Sequence, residues 1–409
     1  MLNVEAVSVS APLDDMILFQ PPLPPRYADL SAEEMSERIR AHKASFGKRV
    51  VILGHHYQQD EVIEFADFTG DSLKLSQIAA RQEGCEFVVF CGVHFMAESA
   101  DILTDDAVKL ILPDLSAGCS MADMAAIDDL EDAWEFLTEH TDARIIPITY
   151  VNSAATIKAF CGEHGGACCT SSNARLILEW ALDTPRAASR HGSRGERASP
   201  AARQGSEGQK VIFLPDQHLG RNTAYALGHA LDSMALYDPR KPNGGLTPEQ
   251  VDDATFFLWK GHCSVHGLFT AAQCDEIRRL DPAYKILVHP ECPWEVVQKA
   301  DLSGSTEYII KTVREAPPGS KWAIGTEIHL VNRLVTTYPD KAVRSLAGIQ
   351  CLCTTMYRID LKHLCWCLDE LAAGRIVNQI RVPPETRRWA VVALERMLEN
   401  VSAQPVSAK

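Results

Sequence analysis

The chain has 409 residues, of which 46% are hydrophobic and 23% are charged, and its formal net charge is −14. This composition is that of a globular protein with enough apolar material for two or three hydrophobic cores. The negative charge argues against nucleic acid or an anionic membrane as the main partner, and no apolar run approaches the length of a membrane span.

The first predicted element is a helix that Ser31 caps. Glu34 stands three residues later, at the position that completes a capping box. The residues before this helix include four prolines between positions 21 and 25, so we expect a loosely attached arm. The N-terminus has neither the basic region nor the apolar region of a secretory signal peptide, and we expect none.

After Lys48 the chain alternates between apolar runs and segments of helical periodicity, such as 129–139 and 271–280. Most of the apolar runs show no period-two alternation, which is typical of parallel strands that are buried on both faces. This alternation predicts an α/β fold with right-handed crossovers. The predicted strands are 50–54, 87–91, 109–112, 144–150, 210–214, 255–259, 285–288 and 321–324.

The segment 186–209 breaks this pattern because it is rich in Arg, Ser, Gly, Ala and Pro and has hardly any aliphatic side chains. It cannot bury enough apolar surface to offset its ordering entropy, so we expect a disordered surface insertion. We predict five regions along the chain. They are an N-terminal arm (1–34), a first α/β domain (35–140), a second α/β domain that contains the insertion (141–280), a third α/β domain (281–375), and a C-terminal helix and tail (376–409).

Polar residues follow the predicted strands in an order that repeats three times. Each set holds a polar triplet, a Ser/Thr turn, a second polar triplet and then a cysteine, which is Cys119, Cys263 or Cys353. The second triplets are Gly92-Val93-His94, Asp216-Gln217-His218 and Gly325-Thr326-Glu327. The Ser/Thr turn precedes the cysteine by 47 residues in the first set and by 48 in the third. We therefore expect three related three-layer units around a pseudo-threefold axis, with chance order as the alternative. Because ligands bind beyond the carboxyl ends of strands in α/β sheets, one central site is expected.

The 13 cysteines are expected to be mostly free thiols in a reducing compartment, the cytoplasm. Three thiolates from distant strand ends are too few for a closed tetrahedral metal site. They suit an iron–sulfur cluster that leaves one iron open to substrate as a Lewis acid. The alternative for Cys119 and Cys263 is burial near a strand end, and Cys351 competes with Cys353 for the third place.

Two groups of polar residues are candidates for substrate chemistry. His55, His56 and Tyr57 follow the first strand, and their tandem arrangement favours substrate contact over a turn role. Glu291 lies beside His289, and this titratable pair suits proton transfer, with a surface salt bridge as the alternative.

The three Ser/Thr turns each precede a helical stretch, so N-capping is their first expected duty. Helix N-termini also bind anions, and three converging ends would suit a substrate with several negative charges. Neither a Walker lysine motif nor a Gly-x-Gly-x-x-Gly fingerprint is present, so nucleotide binding is not expected. The turns are Asp71-Ser72, Thr170-Ser171 and Ser305-Thr306.

Together these motifs resemble those of the quinolinate synthase family of bacterial NAD biosynthesis. The matches run in order from about residue 49 to 375 and leave out the arm and the insertion. They are Gly54-His55-His56-Tyr57-Gln58, Gly70-Asp71-Ser72-Leu73, Ala117-Gly118-Cys119-Ser120-Met121-Ala122-Asp123, Tyr150-Val151-Asn152, Cys169-Thr170-Ser171-Ser172-Asn173-Ala174, Gly261-His262-Cys263-Ser264-Val265-His266, His289-Pro290-Glu291, Gly304-Ser305-Thr306 and Gly325-Thr326-Glu327.

The resemblance implies three homologous α/β domains around a [4Fe–4S] cluster with three cysteine ligands. It implies condensation of iminoaspartate with dihydroxyacetone phosphate to quinolinate, with release of phosphate and two waters. By position, Cys119, Cys263 and Cys353 resemble the ligands, and Tyr57 and Glu291 resemble the acid/base groups. The residues that resemble substrate contacts are His55, Ser72, Tyr150, Asn152, Ser171, His266, His289, Ser305 and Thr306. In the family a Met follows the third ligand by three residues, which favours Cys353 through Met356, but the nearby Cys351 keeps this choice open.

Two rival functions fit parts of the same pattern. One is an aconitase-like hydro-lyase, which shares the open iron but needs no phosphate site. The other is a structural or redox iron–sulfur module, whose centre would be fully ligated and indifferent to substrate. A homodimer and a transient contact with an aspartate oxidase that supplies the imine are open alternatives for partners.

Overall fold

The computed structural model describes residues 20–183, 208–348 and 351–402. Most of the predicted insertion (186–209), the first 19 residues of the predicted arm and the end of the predicted tail lie outside the described residues. Within the described ranges, no helix is both long enough and apolar enough to cross a membrane.

Helices and short strands alternate along the chain. The helices are α1 (Ala32–Phe46), α2 (Asp60–Ile63), α3 (Ser72–Ala80), α4 (His94–Leu103), α5 (Ile127–Glu139), α6 (Ala155–Glu163), α7 (Ala174–Asp183), α8 (Gln217–Ala226), α9 (Pro248–Asp253), α10 (Ala271–Leu280), α11 (Trp294–Lys299), α12 (Thr306–Glu315), α13 (Ile328–Thr337), α14 (Leu361–Ala372) and α15 (Pro384–Ser402). The strands are β1 (Val50–His55), β2 (Phe68–Gly70), β3 (Phe87–Cys91), β4 (Lys109–Ile111), β5 (Ile145–Tyr150), β6 (Ala167–Cys169), β7 (Lys210–Leu214), β8 (Met234–Tyr237), β9 (Phe256–Trp259), β10 (Tyr284–Val288), β11 (Leu302–Ser303), β12 (Lys321–Gly325), β13 (Ala342–Ser345) and β14 (Gln379–Ile380).

The strands form three sheets that share one strand order. The first sheet is β14-β4-β3-β1-β2, the second is β6-β5-β7-β9-β8 and the third is β11-β10-β12-β13. In each, the strand that begins the unit lies between a short edge strand and the next long strand. All pairs of neighbouring strands are parallel except β14 with β4. The predicted α/β fold class is confirmed.

All eight predicted strands are present, and their ends differ from the prediction by no more than a residue. Both example helices are present as α5 and α10. The sequence does not predict six shorter strands, β2, β6, β8, β11, β13 and β14. These have two to four residues. Three of them, β2, β11 and β13, carry mostly half-exposed or exposed side chains, so these three contain no apolar run that marks a strand.

Residues 20–30 are held more firmly than predicted. The side chain of Tyr27 is fully buried, and its hydroxyl donates a hydrogen bond to Asp369 Oδ2 at 2.7 Å. The expectation of a loosely attached arm is therefore wrong for this segment. The capping box is confirmed: Ser31 Oγ accepts from the Glu34 amide at 3.2 Å, and Glu34 Oε2 accepts from the Ser31 amide at 2.9 Å.

The last described segment joins the first two sheets. β14 pairs with β4 of the first sheet, whereas α15 buries Ala390 and Leu394 in the core of the second. α15 packs closely on α6, where a Cβ at Gly162 would lie 2.0 Å from the carbonyl oxygen of Trp389. Only glycine permits this approach of the two helices. The predicted domain boundaries stay predictions.

Candidate active site

A cleft with about 710 Å³ of space not filled by atoms lies where the carboxyl ends of strands from all three sheets meet. All predicted site residues except His56 and Ser305 line it. His56 Nε2 instead lies 3.0 Å from Glu307 Oε1. The hydroxyl of Ser305 instead caps α12 by accepting from the amide of Tyr308 at 3.3 Å. A substrate contact at Ser305 stays a prediction that its position does not favour. The lining residues that the sequence predicts are His55, Tyr57, Ser72, Cys119, Tyr150, Asn152, Ser171, Cys263, His266, His289, Glu291, Thr306 and Cys353.

Three segments, which we call the cysteine turns, begin at Cys119, Cys263 and Cys353 and have the same backbone structure. In each turn the cysteine carbonyl accepts a hydrogen bond from the amide four residues later, at 3.0, 2.9 and 3.1 Å respectively. A 3₁₀ turn begins three residues after each cysteine, and an α-helix begins eight residues after it. Since the three turns also lie after equivalent strands, the repeat extends to the geometry that presents each sulfur.

The cysteines in these turns differ from the others in exposure. Cys119, Cys263 and Cys353 are partly exposed to the cleft, whereas the remaining ten cysteines are buried. Burial still raises the pKa of Cys119 to about 12 and raises those of the other two. In each turn the backbone amide three residues later points at the sulfur and favours the thiolate. The turns therefore supply hydrogen bonds of the kind that tune metal-bound sulfur.

The three cysteine sulfurs are not gathered as ligands of a single tetrahedral ion. All three cysteines line the same cleft. Sulfur ligands of one tetrahedral ion would be about 4 Å apart, given metal–sulfur bonds of about 2.3 Å. Among the described residues, however, the three sulfurs do not form a group within 4.8 Å of one another. Three thiols that line one cleft without being gathered for one ion are a donor set that fits an iron–sulfur cluster.

Cys351 is placed differently from Cys353. Its side chain is fully buried in the core beside the third sheet, and its carbonyl accepts from the amide of Ile328 at 3.1 Å. Only Cys353 of this pair lines the cleft. The geometry therefore favours Cys353 as the third ligand.

Tyr57 reaches from the end of β1 into the third unit. Its hydroxyl lies 3.0 Å from Thr306 Oγ1 and 3.0 Å from Thr326 Oγ1. Burial raises the pKa of Tyr57, so the phenol keeps its proton at neutral pH. The side chain is a protonated phenol that two hydroxyl groups hold in position in the wall of the cleft.

Glu291 follows β10 and lies among three polar rings. His266 Nδ1 lies 2.9 Å from Glu291 Oε2, and the ring of His266 stacks on that of His289 at 4.4 Å. Burial raises the pKa of Glu291, but His289, His266 and a hydrogen bond from Tyr150 outweigh it and lower the pKa to about 2. Burial lowers the pKa of His289 to about 3, so this ring is neutral. A charged carboxylate is thus held next to the neutral ring of His289 in a desolvated site.

Two helices begin at the edge of the cleft. α3 starts at Ser72 and α12 starts at Thr306, and both residues line the cavity. The caps are the preceding residues: Asp71 accepts from the Lys74 amide at 2.9 Å, and Ser305 caps α12. The first amides of both helices therefore face a site that can take anionic groups.

Sequence reasoning misses several residues of the site. Thr326 bonds Tyr57 and also lies 3.1 Å from His266 Nε2, so it joins two predicted site residues. The prediction places it in a polar triplet after a strand but assigns it no role. Phe95 and Met96 form part of an apolar wall of the cleft. Their side chains cannot be told from core residues by the helical pattern of α4 alone.

Comparisons with known proteins agree with this site. A protein-family model described as "Quinolinate synthetase A protein" matches residues 37–188 and 197–399. A quinolinate synthase of Nocardioides sp. (strain JS614) is 55% identical over 365 residues, which are 88% of each chain. One of Geobacillus sp. (strain WCH70) is 52% identical over 97% of this chain and 99% of its own. One of Rhodopirellula baltica is 51% identical over 92% and 93%. The resemblance of the motifs is confirmed, and the chain belongs to the quinolinate synthase family, condensing enzymes of NAD biosynthesis.

Proposed function

We propose that the chain condenses iminoaspartate with dihydroxyacetone phosphate to give quinolinate, with release of phosphate and two waters. The observation that carries this proposal is the meeting of three cleft-facing cysteines with Tyr57 and Glu291 in one cavity. The names of the relatives support quinolinate as the product.

In this proposal Cys119, Cys263 and Cys353 hold a [4Fe–4S] cluster. Such a cluster, bound by three thiolates, supplies Lewis acidity at its open iron for the loss of a hydroxyl group as water. The amides that point at the three sulfurs stabilise the thiolate charge that this binding needs.

Tyr57 and Glu291 divide the proton transfers. The Tyr57 hydroxyl is protonated before the reaction and donates its proton to a substrate oxygen. Its two threonine partners hold the hydroxyl in position for this transfer. Glu291 is charged before the reaction and accepts a proton from the substrate. Its hydrogen bond with His266 lets the two side chains share that proton. Two groups whose environments push their pKa values apart suit opposite roles.

The remaining polar residues bind the anionic groups of the substrates. Ser72 and Thr306 stand at the first turns of α3 and α12, where amides favour phosphate or carboxylate. His55, Tyr150, Asn152, Ser171 and His289 complete the polar lining around them. The apolar wall of Phe95 and Met96 limits water near the reacting carbons.

We also propose the cytoplasm as the location of this reaction. All thirteen cysteines are free thiols, which is the state that a reducing compartment maintains. A homodimer and a contact with an aspartate oxidase stay predictions.

The test is phosphate and quinolinate release by the anaerobically purified chain supplied with both substrates. Tyr57→Phe removes one hydroxyl, and we expect kcat to fall by about 10²–10⁴-fold, the usual worth of a general acid. The control is Tyr308→Phe, because Tyr308 is 41% exposed on α12 and does not line the cleft. A Tyr57→Phe enzyme at the wild-type rate would refute the acid role. A wild-type chain that releases no phosphate would refute the reaction.

A further inference from the structure

Cys263, His266 and Glu291 form a compact group of three different ligand types. A sulfur, an imidazole nitrogen and a carboxylate oxygen from these residues all lie within 4.8 Å of one another. His266 is 1% exposed and Glu291 is 2% exposed, whereas Cys263 faces the cleft. This is the only such group of three among the described residues.

The group has the chemistry of a site for a single borderline-soft divalent cation. Sulfur, imidazole and carboxylate are the ligands that zinc takes in proteins, with a fourth position left to water in open sites. His266 Nδ1 faces Glu291, while His266 Nε2 lies 3.1 Å from Thr326 Oγ1. An imidazole that binds metal through one nitrogen and donates from the other to an oxygen is the usual arrangement around zinc.

Of the three cysteine turns, only the second has a metal-binding side chain three residues after its cysteine. The position three residues after the cysteine is His266 in the second turn, but it is Ala122 in the first and Met356 in the third. Glu291 then completes the group from the end of β10. Among the described residues the three cysteine sulfurs do not form such a group. A single ion would therefore use Cys263 with His266 and Glu291, whereas a cluster would use it with Cys119 and Cys353.

We propose that the chain without its cluster binds one zinc-like divalent cation through Cys263, His266 and Glu291, and that this cation blocks cluster assembly. The cation replaces the proton of the Cys263 thiol, which passes to solvent, and it takes the place of the proton on His266 Nδ1, which moves to Nε2 and faces Thr326 Oγ1. Cluster assembly then stops because Cys263 is already engaged. The proposal adds a competing occupant to the site and does not depend on which reaction the loaded enzyme performs.

The test titrates the full-length, metal-free chain with Zn²⁺ in competition with a colorimetric chelator, and with Co²⁺ as a spectroscopic probe. We expect one ion per chain and a cobalt spectrum of tetrahedral type with a single thiolate ligand. His266→Ala and Glu291→Gln should each weaken binding by at least about tenfold. Cys119→Ala and Cys353→Ala are the matched controls, and they should bind the ion as the wild type does.

Two results would overturn the proposal. One is a loss of affinity in Cys119→Ala or Cys353→Ala as large as that in His266→Ala, which would put the ion among the cysteines. The other is a zinc-loaded chain that takes up iron and sulfide as fast as the metal-free chain. His266→Gln keeps the volume of the side chain and replaces His266→Ala if circular dichroism shows that the alanine variant is unfolded. No substrate is needed, so these results leave the proposed reaction untouched.

Discussion

The first cysteine turn and the two later ones have the same backbone structure, but they differ in the side chain that lies beside the turn. In all three, the first residue of a helix donates its amide to the carbonyl two residues before the cysteine, at 2.8, 3.0 and 3.1 Å. The residue before that donor is Val93 in the first unit, Asp216 in the second and Glu327 in the third. The later units therefore add a carboxylate where the first has an apolar side chain.

The two carboxylates are tied to the cysteine turns as well as to their helices. Asp216 accepts from the amides of His218 and Leu219 at 2.7 and 2.8 Å. Burial raises the pKa of Asp216 well above its usual value, and the hydrogen bonds from these amides and from the Cys263 amide oppose that rise. Glu327 caps α13 in the same way, and the Cys353 amide lies 3.5 Å from its Oε1.

Val93 makes no side-chain cap and lines the cleft beside Phe95. One backbone design thus serves two purposes: the first unit supplies part of the apolar wall, and the others supply buried carboxyl groups that hydrogen-bond the cysteine turns.

The largest expected effect tests whether the three turns are equivalent in holding metal. Cys119→Ala, Cys263→Ala and Cys353→Ala should each reduce cluster iron and sulfide to near zero after anaerobic purification. Cys351→Ala is the control, because this thiol lies in the core, and it should keep its iron while losing about 1 kcal/mol of stability. Full iron in Cys353→Ala with loss in Cys351→Ala would reverse the ligand assignment.

The second largest effect tests whether Asp216 and Glu327 support the second and third cysteine turns, which the first turn manages without a carboxylate. Asp216→Ala and Glu327→Ala remove a helix cap and leave buried amides unpaired, so each should cost about 2–4 kcal/mol in urea unfolding. Both should also lose iron to a chelator faster than the wild type.

The matched control is Asp360→Ala, which removes the carboxylate cap of α14 seven residues after Cys353 without touching a cysteine. It should cost about 1 kcal/mol and leave the rate of iron loss unchanged. If all three variants lose iron equally fast, the carboxylates do not support the turns.

The third effect concerns the threonine that links the units across the cleft. Thr326→Val keeps the shape but removes the partner of Tyr57 and His266. We expect a fall in kcat of about tenfold, which corresponds to one hydrogen bond of about 1.4 kcal/mol. Thr336→Val on the exposed face of α13 is the control. Equal kcat values for the two variants would contradict the role of Thr326.

The smallest effect tests the contact between the first and third units at the cleft edge. Oε1 of Glu307 on α12 lies 3.0 Å from His56 Nε2 and accepts a hydrogen bond from Lys74 Nζ at 3.2 Å. The hydrogen bond from His56 lowers the pKa of Glu307 to about 2 from 4.5. Because the folded pKa is depressed, this stabilisation is complete above pH 5 and is lost as the pH falls toward 2.

We therefore expect Glu307→Gln to cost no more than about 1 kcal/mol at pH 7, since the carboxylate is 40% exposed and solvent screens it. The difference from the wild type in urea unfolding should shrink as the pH falls from 5 to 3. A difference that stays constant over this range would rule out the charge of Glu307 as its source.

The sequence predicts the long buried strands and the three cysteines because both depend on local pattern. It does not predict the short edge strand β13 or the links through Thr326, because these depend on which residues approach in the folded chain. The polar triplets are also aligned incorrectly: matching by polarity pairs Gly92 with Asp216 and Gly325, whereas the helix caps show that Val93, Asp216 and Glu327 are equivalent. Polar character at a strand end is a weaker guide to register than the cap that follows it.

The most direct test of the account is Mössbauer spectroscopy of the anaerobically purified chain, with iron and sulfide measured, before and after quinolinate is added. The account predicts four irons and four sulfides per chain and a change at one iron alone, because only that iron lacks a cysteine. A colourless, iron-poor preparation with full activity would contradict it, as would a cluster whose spectrum ignores quinolinate.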